Sequence, residues 1–148
     1  MKSSEQEYFF ELLKLEKKSE NLHDENPEVF SRRLECISKI QTNLHYSKKD
    51  EYINLAKEFL DGQITADDFS YSFMAIHRAM VQELNQMVKS ESVELANFLE
   101  PRRLKLRDII IRTYHCCDFF SLDPEVALSD EKELEECAQI LLVTLQEQ

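Results

Sequence analysis

Apolar residues recur along this chain at intervals of three and four, the spacing that lines one face of an α-helix. Six helices follow from that reading. Ser4 and Glu7 form a capping box for the first, on which Phe9, Leu12 and Leu13 lie before the pattern fades near Lys18. After the polar stretch SENLHDEN, Asn26 as N-cap and Pro27 at the first helical position open a second helix. Phe30, Leu34, Ile37, Gln41 and Leu44 trace its inner face, and it ends near His45. The third runs from about Lys49 to Leu60, with Tyr52, Leu55, Ala56, Phe59 and Leu60 at helical spacing.

The stretch FLDGQITADDF holds the only glycine of the chain. Gly62 follows the last apolar position of the third helix, where a left-handed residue closes a helix without steric cost. Thr65 is placed to cap the next helix with Asp68 three residues on, and Ile64 and Phe69 flank the cap as a hydrophobic staple. The fourth helix then carries Phe73, Ile76, Met80, Leu84 and Met87 on one stripe as far as Lys89. SESVELANFLEP contains at most a short helical turn before Pro101.

A fifth helix spans about Pro101 to Phe119, with Leu104, Ile109 or Ile110, Ile111, Tyr114 and Cys117 or Asp118 inward. SLDPEVALSDE reads as a loop. Asp130 and Glu133 cap the last helix, whose inner positions are Leu134, Cys137, Ala138, Leu141, Leu142 and Leu145. The fold class that results is all-α: an antiparallel four-helix bundle over residues 49–148, with an additional N-terminal helical pair over residues 1–48.

Composition sharpens this picture. One Gly, three Pro and no Trp in 148 residues leave too few turn residues for sheets and hairpins, and rule out a glycine-rich phosphate loop. No apolar run reaches the roughly 20 residues of a membrane span, and the N-terminus lacks the apolar core of a secretion signal, so a cytoplasmic protein is expected. Cys36, Cys116, Cys117 and Cys137 follow no CxxC spacing and are expected to be small, reduced, partly buried side chains without disulfide or zinc.

The net charge of −11 is unevenly spread. Residues 1–49 carry nine acids and nine bases, whereas residues 118–148 carry nine acids and one base, Lys132. Asp118, Asp123, Glu125, Asp130, Glu131, Glu133, Glu135 and Glu136 crowd together there at a cost in self-repulsion that a cationic partner relieves. Such asymmetry argues against direct binding of nucleic acid.

Catalytic chemistry finds little support in the residues. Glu20 and His23 make an ExxH without the second pair and further carboxylates that a bundle di-metal site requires. His115 stands beside Cys116 and Cys117, but sequence neighbours on a helix point apart. Asp67 and Asp68 diverge for the same reason and sit at the positive end of a helix dipole. Arg102, Arg103, Lys105 and Arg107 have no interleaved aromatics and read as a solvated face. No enzyme, cofactor or metal is expected.

Two segments resemble a known family. YINLAKEFLDGQITADDFSYSFMAIHRAM, residues 52 to 80, and YHCCDFFSLDPEVALSDEKELEECAQILL, residues 114 to 142, are similar to the colicin D immunity protein and its relatives, the self-protective colicin-like immunity domains. The resemblance covers about residues 50 to 148, and the first 49 residues have no counterpart in it. It implies a small helical bundle that binds the nuclease domain of a toxin, a tRNA-cleaving ribonuclease in the colicin D case, and covers its active site with acidic side chains in place of RNA phosphates.

Carried over by position, the implied contact residues are Asp118 before the aromatic pair and Asp123 in the Pro-containing loop. The reading of the late acidic stretch adds Glu125, Asp130, Glu131 and Glu133. Phe119 and Phe120 are candidates for an apolar anchor. The expected partner is thus a basic toxin nuclease domain, with no nucleic acid or membrane contacted and with the chain a monomer or weak homodimer. A helical adaptor or regulatory module without a toxin partner is the alternative.

Overall fold

A computed structural model of the chain describes residues 7–11, 13–14, 27–90, 92–99, 104–120 and 130–147. Its regular elements are α1 (Pro27–Ser47), α2 (Lys49–Leu60), α3 (Ala66–Lys89), a 3₁₀-helix (Val93–Phe98), α4 (Leu104–Phe119) and α5 (Glu131–Glu147). Residues 7–11 and 13–14 are also helical. The protein is an all-α helical bundle. Ser4, Asn26, residues 101–103 and residues 121–129, expected as a loop, lie outside the described residues, and with them Asp123 and Glu125.

The α2–α3 joint shows how local chemistry sets these boundaries. Gly62 has φ +77°. Its N–H donates to the Phe59 carbonyl at 3.1 Å, and the Gln63 N–H donates to the Glu58 carbonyl at 2.8 Å. That pair of bonds is the Schellman motif, which satisfies carbonyls left over at a helix end. Three residues on, the Asp68 N–H donates to Thr65 Oγ1 at 3.1 Å and the Thr65 N–H donates to Asp68 Oδ2 at 3.3 Å. One helix is closed and the next opened within seven residues.

The chain forms two compact units. The first comprises residues 1–44 and 81–102, the second 45–80 and 103–148, so α1 and α3 each contribute to both. In the first unit, Phe9, Leu13, Cys36, Ile40, Leu44, Leu84, Met87, Leu95 and Leu99 are buried. Asn43 Nδ2 donates to the Phe98 carbonyl at 2.6 Å, tying α1 to the 3₁₀-helix.

In the second unit α2 and α4 both pack on α5. Its core joins Tyr52, Ala56, Phe59, Phe69, Phe73, Leu106, Ile109, Ile110, Leu134, Ala138 and Leu141. The Phe59 and Phe69 rings stack at 4.7 Å across the joint.

Two inner faces differ from those expected. Leu44 is buried as expected, but Leu34 is 47% exposed, and α1 also buries Cys36, Ile40 and Asn43. Ile111 is 48% exposed, and α4 buries Leu106, Ile109, Ile110, Thr113 and Cys117. Asp118 is likewise exposed. In both helices an apolar stripe of the expected period is present in the sequence, but the face is chosen by what packs against it.

Candidate functional site

The N-terminal turns of α3 and the C-terminal turn of α4 meet around an open cleft of about 510 Å³. Asp67, Asp68, Tyr71 and Arg78 line it from α3; Cys117 and Asp118 line it from α4, with Phe120 just beyond. Asp67, Asp68 and Asp118 are all exposed. Three carboxylates therefore converge with one base, Arg78, among the lining residues. Asp68 is held by its capping bonds, so its orientation is fixed by the helix start it closes.

Tyr71 is 76% exposed. It lies off the buried positions Phe69, Phe73 and Met80 of α3, which leaves its ring on the outside next to the carboxylates. An exposed aromatic with a polar tip beside acids is a suitable contact for a cationic side chain, through the ring face and the carboxylates together. Phe119 and Phe120, expected as a pair, part company. Phe119 is 46% exposed and stacks at 6.2 Å on His115, while Phe120 is half-buried against the core.

The remaining late acids stand at the start of α5. Asp130 is exposed, and its Oδ1 accepts the Glu133 N–H at 2.9 Å as the helix cap. Glu131 and Glu133 are exposed in the first turn. α4 and α5 run antiparallel: Lys105 and Asp108 share a pocket with Thr144, and Cys116 touches Cys137. The end of α4, with Asp118, and the start of α5, with Asp130, Glu131 and Glu133, thus fall at one end of the pair. The structure brings Asp118 to Asp67 and Asp68, which chain position alone separates by about fifty residues. Sequence reasoning gave those two chiefly a helix-capping role, with direct contact with a partner as the lesser alternative; a further clue was Tyr71, a large aromatic off the apolar stripe three residues after Asp68.

A second polar cluster is buried. His45 and Tyr52 are 3% and 0% exposed, and His45 Nδ1 is 2.7 Å from the Tyr52 hydroxyl. The His77 ring lies 5.1 Å from His45 and 4.5 Å from Tyr114. Burial, and secondarily the neighbouring His77, push His45 down to about 3, and burial raises Tyr52 and lowers His77. A neutral imidazole and a protonated phenol hydrogen-bonded in the core are a packing device, closed to substrate.

Among the described residues no group of three or more His, Cys, Asp or Glu side chains is placed to hold a metal ion. No helix among them is long and apolar enough to cross a membrane. No family model matches the chain, and comparison with curated proteins and with solved structures likewise finds no match.

Proposed function

We propose that this protein is an immunity-type inhibitor, which binds a basic nuclease domain of a bacterial toxin in the cytoplasm and occupies its active-site cleft with carboxylates. The reading rests on the convergence of Asp67, Asp68 and Asp118 around one open cleft beside the exposed Tyr71. A ribonuclease holds RNA by arranging Lys and Arg side chains around phosphate oxygens. Carboxylates fixed on helix ends present oxygen acceptors of the same charge sign to those side chains.

Several features favour this use. The acids stand on helix termini, so their positions are set by the packed bundle and little ordering is needed on binding. Tyr71 and Phe119 supply exposed ring area of the kind that anchors interfaces, surrounded by charge that steers a cationic partner into contact. The resemblance of residues 52 to 80 and 114 to 142 to colicin D immunity domains spans both helix ends that line the cleft, and the toxin substrate it suggests is tRNA. Asp130, Glu131 and Glu133 at the start of α5 extend the negative surface.

The test is co-purification with the product of the neighbouring gene, followed by charge reversal. Asp67→Lys and Asp118→Lys leave the Thr65–Asp68 cap in place. Together they are expected to weaken binding roughly 100-fold, about tenfold for each charge, and to abolish protection of cells that express the toxin domain. Unaltered affinity and full protection, with the helical content intact, would overturn the reading.

A helical adaptor is the second reading. It draws on Ile140 and Val143, 40% and 42% exposed and one turn apart on α5. Capture of a partner that Ile140→Glu disrupts and Asp118→Lys leaves bound would favour it.

A further inference from the structure

Four cysteines without motif spacing are distributed by the fold in an unequal way. Cys36 is buried in the first compact unit. In the second, Cys116 on α4 and Cys137 on α5 meet, with the Cys137 thiol directed at Cys116 Sγ across 3.4 Å. Cys117, the neighbour of Cys116 in sequence, points elsewhere: it lines the acidic cleft and belongs to the core cluster. Adjacent positions on a helix are turned about 100° apart, so of two consecutive cysteines only one faces α5.

Two thiols in van der Waals contact between antiparallel helices need only about 1.4 Å of further approach to reach the bond length of a disulfide. Closing that gap calls for rotation about the two side chains, and both backbones belong to one compact unit. The two sulfurs also differ in access. Cys116 is half-buried, whereas Cys137 is fully buried. The less buried Cys116 is the one that a small oxidant meets first.

We propose that Cys116 and Cys137 are a site of oxidative modification, at which a peroxide-class oxidant closes an α4–α5 disulfide. The thiolate of Cys116 attacks one peroxide oxygen, the O–O bond breaks, and water leaves after protonation, giving Cys116 sulfenic acid. The sulfur of Cys137 then attacks Cys116 Sγ, loses its proton and displaces a second water as the S–S bond forms. Two electrons pass from the two thiols to one hydrogen peroxide, which is reduced to two waters. A dithiol reductant reverses the step by thiol–disulfide exchange.

Burial holds the Cys137 thiol up at about 12, so its attack, which uses the thiolate, quickens as pH rises. Cys117, raised to about 12 by its own burial, is not positioned to compete. The bond encloses Asp118, Asp130, Glu131 and Glu133 within one covalent loop. Oxidation therefore fixes the end of α4 against the start of α5, where the acidic side chains stand. The chemistry itself does not depend on the proposed inhibitor role, and its test does not use a toxin.

The experiment treats the full chain with hydrogen peroxide, blocks remaining thiols in denaturant, and reads the intact mass. The expected product is a monomer that has lost two hydrogens and carries two blocked thiols instead of four. Cys116 and Cys117 share a tryptic peptide, so variants assign the bond. Cys117→Ser retains it, whereas Cys116→Ser, at a half-buried position that tolerates the change, does not form it. Oxidised wild type melts at a higher temperature than reduced wild type, and Cys116→Ser shows no such rise. Four blocked thiols after oxidation, a link that survives in Cys116→Ser, or a disulfide found only between chains would each overturn the proposal.

Discussion

At the scale of single residues, the buried His45–Tyr52 pair ties the acid stability of the protein to one imidazole. His45 titrates near 6.5 in the unfolded chain and near 3 when folded. Between those values the unfolded state binds a proton that the folded state refuses. Stability from this group is thus intact above about pH 6.5 and falls as pH is lowered toward 3, with a slope approaching about 1.4 kcal/mol per pH unit. In an NMR titration the His45 ring resonances are expected to hold their neutral positions from about pH 7 to pH 5, the range in which an ordinary histidine titrates. A midpoint near 6.5 for that ring would refute the assignment. Tyr52→Phe removes the 2.7 Å partner of His45 and is expected to cost about 1–3 kcal/mol in chemical denaturation, the penalty of an unsatisfied buried polar group.

At the scale of the helix, boundaries were legible and faces were only partly so. The extents of α2 and α3 follow from Gly62, Thr65 and Asp68, because a cap is a local device that needs nothing beyond the next four residues. The inner face of α4 is not local. LRDIIIRT offers three consecutive isoleucines, and a helix turning 100° per residue cannot bury all of them. Contact with α5 selects Ile109 and Ile110 and leaves Ile111 in water. Leu106→Ala is therefore expected to destabilise the protein by about 2–5 kcal/mol, and Ile111→Lys by less than about 0.5 kcal/mol. Equal losses in urea unfolding of the two variants would show that the face is assigned wrongly. The candidate site was legible in part for the same reason. Asp118 and the acids after it stand out as an excess of charge along the chain, but their meeting with Asp67 and Asp68 depends on how α3 and α4 are packed.

At the scale of the whole molecule, the compact units are not continuous in sequence. Residues 81–102 form a unit with residues 1–44, and Asn43 reaches the Phe98 carbonyl at 2.6 Å. A fragment that begins at residue 49 keeps α2, α4 and α5 but removes those partners. Amide exchange measured by mass spectrometry is expected to quicken severalfold or more across residues 81–99 of that fragment, with α5 still protected. Protection retained across 81–99 would mean that this segment holds its structure without the first 44 residues. Reading along the chain misses such an arrangement, since periodicity reports what each helix buries and not which distant segment covers it. α5 carries a related consequence for biosynthesis. Both α2 and α4 pack against a helix that starts only at Glu131. On the ribosome, Phe59 meets Phe69 early, but the faces of α2 and α4 that pack on α5 stay uncovered until that helix emerges, about seventy residues after α2 ends, an interval in which exposed apolar surface is open to misassociation.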